Sequence, residues 1–139
     1  MRVVIDTNVF VSAVFFGGVP GKILDMWRDG KIELLLTPGI LAEYEDIVHR
    51  LHARYPAVDP EPIVSLVIRR GVFVADDELA RPVSTDKDDD KFLAAAVAGR
   101  SKFVVSGDKH LLDVSGYEQV EVLQPAQFVD QYGSEQGKD

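Results

Sequence analysis

The chain contains no cysteine and only three histidines. The first absence excludes disulfides, thiolate metal sites and a cysteine nucleophile, and the second leaves few imidazoles for a zinc centre. Any metal should then be hard and oxygen-bound, as Mg²⁺ or Mn²⁺ would be. Long apolar runs are also missing: none approaches the roughly 18 residues of a membrane span. The N-terminus enters a β-rich run directly, without a charged leader and cleavage site, so a soluble, cytoplasmic protein is expected. Basic residues are scarce, with 15 Lys and Arg against 23 Asp and Glu and a formal net charge of -8. This balance disfavours broad, non-specific nucleic-acid binding, which relies on a basic surface. It leaves room for a nuclease whose acids are neutralised by bound metal.

With 139 residues, 46% of them hydrophobic, the chain is long enough for one sizeable core and short for two. The expected organisation is a single domain over residues 1–132, followed by a flexible tail over 133–139. Short β-rich runs fall at Val3–Ile5, Glu33–Leu36, Val72–Val74, Phe103–Val105 and Val120–Leu123. They are separated by stretches long enough for crossover helices, which predicts an α/β fold on a mostly parallel sheet of about five strands. Pro20 opens a helical stretch that Gly30 stops. Thr37 and Pro38 form an N-cap and first-turn pair before a helix whose apolar stripe includes Ile40, Leu41, Tyr44, Ile47, Val48 and Leu51. Asp59 and Pro60 repeat that device ahead of a helix ended by Gly71. Asp89 or a neighbour starts a small-residue helix from Phe92 to Ala98, and a last helix begins near Pro125. The acidic stretch 75–90 is the one long irregular segment, which in a compact domain tends to be functional or mobile.

Four acids attract attention. Asp6 ends the first strand, at the sheet edge where open α/β folds build their sites. Glu43 lies about 60° around its helix from Ile40, beside the apolar stripe, so its carboxylate needs a partner: a basic side chain or a metal. Asp88, Asp89 and Asp90 crowd one helix start, where one carboxylate can cap and two can gain from the helix dipole, leaving the third unexplained. Asp108 follows the fourth strand through Ser106 and Gly107 and reaches the same edge if the strands are neighbours. Taken singly, Asp6 and Asp108 read equally well as turn residues. Gathered together, such carboxylates repel by roughly 4 kcal/mol per pair at about 4 Å and an effective dielectric near 20, and a cation would relieve them.

The Val-Ile-Asp-Thr-Asn start, Glu43, the Asp-Asp-Asp-Lys-Phe-Leu-Ala-Ala-Ala run at 88–96 and Val-Ser-Gly-Asp-Lys-His-Leu-Leu at 105–112 together resemble the PIN domain. The branch they look most like is that of toxin components of toxin–antitoxin systems, relatives of the VapC ribonucleases. The resemblance runs over nearly the whole chain, including the Gln-Pro-Ala-Gln-Phe-Val segment. It implies a three-layer α/β/α fold and a metal-dependent endoribonuclease with one or two Mg²⁺ or Mn²⁺ ions in an acidic pocket. By position it assigns the family acids to Asp6, Glu43, Asp89 and Asp108, with Thr7, Asn8 and Ser106 in support. Asp90 stands where relatives often carry asparagine, so Asp89 and Asp90 remain alternatives for the third acid. Asp86 and Asp113 are outer candidates. A homodimer and a cognate antitoxin are the partners implied.

Asp6 and Asp89 are the expected direct ligands, with Glu43 and Asp108 completing the site or orienting water. Candidate phosphate contacts are His49, Arg50, His52 and Arg54 at the end of the Glu43 helix, then Lys91, Lys102, Lys109 and His110; an ordinary solvated charge is the plain reading of each. An aspartate-nucleophile phosphatase would want a second aspartate where Asn8 stands, and a phosphate-accepting receiver would want paired acids where Thr7 stands. A non-enzymatic alternative is a PIN-fold interaction module using Phe15, Phe16 and Val19 as a contact surface.

Overall fold

A computed structural model describes residues 1–133, so of the expected 133–139 tail only Gly133 is included and 134–139 lie outside the described residues. In chain order the elements are β1 (Arg2–Ile5), α1 (Thr7–Phe16), α2 (Gly18–Arg28), β2 (Glu33–Leu36), α3 (Pro38–Arg54), α4 (Glu61–Arg70), β3 (Val72–Phe73), α5 (Asp90–Ala98), β4 (Phe103–Val105), α6 (Lys109–Leu112), β5 (Glu121–Leu123) and α7 (Pro125–Phe128). The five strands form one wholly parallel sheet in the order β3-β2-β1-β4-β5.

Val3, Val4 and Ile5 of β1 and Leu34, Leu35 and Leu36 of β2 are at most 1% exposed. Runs without polar alternation suit central parallel strands covered on both faces, where each such side chain stabilises by roughly 1.5–3 kcal/mol. Helix α5 packs on β1, β2 and β4, and right-handed crossovers put it across the sheet from α1 to α4. This is the three-layer arrangement expected from the sequence. Ala94, Ala95 and Ala96 keep α5 close to the sheet and are buried there. Among the described residues no single helix is long and apolar enough to cross a membrane.

Helix α1 has no counterpart in the sequence reading. Thr7, Val9, Phe10, Val11, Ala13 and Phe15 are all buried, so it shows no one-sided apolar stripe, and its β-branched and aromatic residues favour strands. A 95° bend separates it from α2, and Gly17 (φ 70°) and Gly18 (φ 62°) supply the left-handed backbone there. Helix α2 therefore starts before Pro20. The Thr37 cap holds, with its hydroxyl accepting from the Ile40 amide at 3.1 Å. At the fifth helix the cap differs from expectation: Asp86 accepts from the Asp88 amide at 3.0 Å and opens a 3₁₀ turn over Lys87–Asp89 that leads into α5. Asp89 makes no capping bond.

Gly99 closes α5 directly against β2. A Cβ there would sit 2.3 Å from a methyl of Leu35, which is itself fully buried. Gly99→Ala should cost about 1–3 kcal/mol through forced repacking, read as a lower urea midpoint with an unchanged slope.

Candidate active site

The strand order reverses at β1, so the carboxyl ends of β1 and β4 lie side by side, the kind of crevice in which open parallel sheets bind ligands. Ile5 pairs with Val105, and the Asp6 amide donates to the Val105 carbonyl at 3.0 Å. Asp6 and Ser106 therefore emerge together. Asp6 is 5% exposed. One carboxylate oxygen accepts from the Asn8 amide at 2.7 Å, capping α1, and the other accepts from the Ser106 hydroxyl. The same Ser106 oxygen accepts from the Asp108 amide at 2.9 Å, and Asp108 caps α6 through the His110 amide at 2.8 Å. Ser106 thus ties the first and fourth acids to one hydroxyl.

Glu43 reaches the same edge from α3. Its Oε2 accepts from the Thr7 hydroxyl and its Oε1 is paired with the Lys91 ammonium. The basic partner that its position required comes from α5, on the opposite face of the sheet. Tyr44, the next residue, is fully buried, stacks on Phe10 with ring centroids 4.1 Å apart, and donates its hydroxyl to the Ile5 carbonyl. Tyr44 fixes α3, and hence Glu43, against the end of β1. The sequence reading counted it only as part of the apolar stripe, although a buried tyrosine usually needs a partner for its hydroxyl.

Asp89 and Asp90 separate cleanly. Asp89 is 8% exposed and its Oδ2 has no hydrogen-bond partner among the described residues. Asp90 turns away and accepts from the amides of Val83 at 3.0 Å and Ser84 at 2.7 Å. It therefore anchors the irregular segment instead of facing the acids. That segment is tied elsewhere too: Asp76 accepts from the Gly39 amide at 3.0 Å, and the Thr85 hydroxyl meets His110 Nδ1 at 2.6 Å.

All four candidate acids, with Thr7, Asn8 and Lys91, line a cavity of about 230 Å³. A neighbouring cavity of about 600 Å³ shares Lys91 and Asp88 with it and lies between α5 and the segment carrying Arg81, with Lys87 on its wall. Other predicted contacts fall elsewhere. Arg50 pairs with Asp46 at 2.9 Å, His49 meets Glu61 at 3.2 Å and His52 meets the Val58 carbonyl at 2.8 Å. Lys102 borders a cavity with Met1 and Arg2 at the amino end of the sheet, away from the acids. Lys109 follows Asp108 as the first residue of α6, whereas Asp113 ends that helix.

Burial holds the Asp6 carboxyl above its ordinary value against the hydrogen bonds from Ser106 and Asn8, and the charges of Asp108 and Glu43 add to the rise. Asp89 is pushed up to about 7 by burial first, then by the nearby Asp108 carboxylate, and then by Asp86 and Asp6. An all-oxygen donor set with mutually repelling carboxylates and one unpartnered buried oxygen fits a hard divalent cation. Among the described residues no three acids or histidines are gathered tightly enough to form a ready ligand set, so an ion would keep part of its water shell.

The PIN domain family matches residues 2–110, a span that includes all four acids, and the chain belongs to that family. The uncharacterized protein MJ1680 of Methanocaldococcus jannaschii is 31% identical over 148 residues, covering 95% of this chain and 92% of that protein. Family membership points to a nuclease.

The raised carboxyl at Asp89 has a consequence for stability. Between an unfolded value near 4 and the folded value of about 7, the folded chain holds a proton that the unfolded chain has released. The site's contribution is therefore fully present below about pH 4 and is lost as pH rises through about 7. Asp89→Asn should stabilise the metal-free protein by about 1–2 kcal/mol near pH 8, a gain that shrinks as the pH is lowered towards 4. Urea unfolding in EDTA across that range measures it.

Proposed function

We propose that this protein is a metal-dependent endoribonuclease that hydrolyses phosphodiester bonds in single-stranded or structured RNA, acting in the cytoplasm as the toxin component of a toxin–antitoxin system. The observation that carries the reading is the unpartnered, buried Oδ2 of Asp89 in one cavity with Asp6, Glu43 and Asp108, in a chain of the PIN family.

Asp6 and Asp89 are assigned as direct ligands of Mg²⁺ or Mn²⁺, with Asp108 and Glu43 completing the site or orienting the attacking water. A bound ion of this kind lowers the pKa of a coordinated water and offsets charge on the phosphoryl oxygens. The chain's own contribution is orientation. Ser106 and the Asn8 amide keep the Asp6 carboxylate from rotating, while Thr7 and Lys91 do the same for Glu43. The larger neighbouring cavity offers Arg81, Lys87 and Lys91, interspersed with Asp77, Glu78, Asp88 and Asp90, to the phosphates on either side of the scissile bond. Flexible single strands suit such a groove better than a regular duplex.

The decisive assay incubates a mixed single-stranded RNA pool with Mn²⁺, Mg²⁺ or EDTA, using the wild type and a folded Asp6→Asn variant. Cutting should require metal and fall at least about 100-fold in the variant, equivalent to about 2.7 kcal/mol of transition-state stabilisation. Activity that survives in EDTA, or no activity with either ion, would count against the reading.

Charge reversal at Arg81 and Lys87 provides an independent check on the groove. The double variant should bind non-cleaved RNA about tenfold more weakly and show a salt dependence shallower by about one to two phosphate contacts. Unchanged binding curves would remove this groove from the substrate path.

One observation favours a second reading, the interaction module. Phe16 is 61% exposed and meets Tyr55, itself 39% exposed, edge-on at 5.2 Å. This pair, with Val19, suits a contact with a second copy or an antitoxin, and is compatible with either an active or a silent site.

A further inference from the structure

Lys91 is not an ordinary solvated lysine. Its ammonium pairs with Glu43 Oε1 across the carboxyl edge of the sheet, and the remaining Glu43 oxygen accepts from Thr7. Both side chains are about one third exposed. The ammonium also stands 5.4 Å from the centroid of the Phe92 ring, close enough for an attractive cation–π contact. It projects from the first turn of α5, two residues after Asp89, so the helix that delivers the third acid also delivers a fixed cation.

The acids therefore fall into two groups. Glu43 is already neutralised. Asp89 keeps a buried oxygen without a partner and shares its cavity with Asp6 and Asp108, which Ser106 ties together. Three carboxylates opposite one divalent ion leave a single negative charge. A second divalent ion at Glu43 would have to expel the ammonium or sit beside it, like charge against like.

We propose that Lys91 stands in the place of a second metal ion, so that the pocket takes one divalent cation, held partly through its own water, among Asp6, Asp89 and Asp108 and keeps the lysine ammonium as its fixed cation at Glu43. This rests on the metal-dependent reading above. The ammonium has three donors and uses one on Glu43, leaving others for a phosphate oxygen entering from the groove that Lys91 also lines.

The test counts ions without RNA. Free Mn²⁺ is followed by electron paramagnetic resonance while the full chain is titrated, for the wild type, Lys91→Arg, Lys91→Gln and Lys91→Met, each checked for folding by circular dichroism. The wild type and Lys91→Arg should saturate at one ion per chain, and Lys91→Gln at two. Lys91→Met keeps the aliphatic stem and should also take two if the glutamine variant fails to fold. A wild type that takes two ions overturns the assignment, as do charge-removing variants that stay at one with unchanged affinity; in both cases the metal-dependent reading stands. Absence of any Mn²⁺ binding by every protein overturns both.

Discussion

The arrangement at the site depends on the parallel pairing of β1 with β4. Fifteen or more residues of helix and loop separate each acid from the next, yet the register that sets Ile5 against Val105 brings Asp6 and Ser106 out side by side. A slip of one residue in either strand would turn its side chains to the opposite face of the sheet and separate Asp6 from Ser106. The register is protected because both faces are buried: Val3, Val4, Ile5, Val104 and Val105 have essentially no exposure, so any other pairing would bury polar groups and expose valines. Hydrophobic burial in the strands thus fixes the position of a carboxylate that is itself costly to bury.

That cost is met only in part. Helices α1, α3 and α5 begin at the carboxyl edge and turn their amide ends towards it, which favours negative charge there. Asp6 gains an amide and a hydroxyl, and Glu43 gains a hydroxyl and an ammonium. Asp89 Oδ2 gains nothing from the described residues, a deficit of about 1–3 kcal/mol for a buried polar atom. Folded chains satisfy nearly all such groups, and the exceptions need a reason. A binding site whose ligand completes the set is the physical reason offered here.

Much of this was legible in the sequence because the relevant signals are local. Apolar runs ending in polar residues marked β1, β2 and β4, and the one-sided stripe of α3 placed Glu43 beside the core. Helix α1 was not legible, since a segment buried on all sides, such as Thr7–Phe16, has no period to detect. Nor could a local pattern separate Asp89 from Asp90. The difference lies in the amides of Val83 and Ser84, which claim the Asp90 carboxylate and leave its neighbour facing the cavity. The Lys91–Glu43 pair spans 48 residues and joins opposite faces of the sheet, so it follows from topology alone. Lys102, near the acids in sequence, sits at the other end of the sheet because β4 runs between them.

Under the nuclease reading an acidic protein must bind a polyanion, but the net value of -8 describes the far field. At physiological ionic strength that field decays over about 8 Å, so acids on distant faces matter little to a phosphate already in the groove. There the nearest cations are Arg81, Lys87 and Lys91, set among the carboxylates of Asp77, Glu78, Asp88 and Asp90. The far field instead removes the electrostatic steering that speeds encounter for basic nucleic-acid binders. Under the nuclease reading, weak steering and a groove of mixed charge make productive binding depend on how RNA fits the segment at 77–82. Val83 and Thr85, which follow that segment directly, are held by side chains from α5 and α6, which couples substrate fit to the same elements that position the acids.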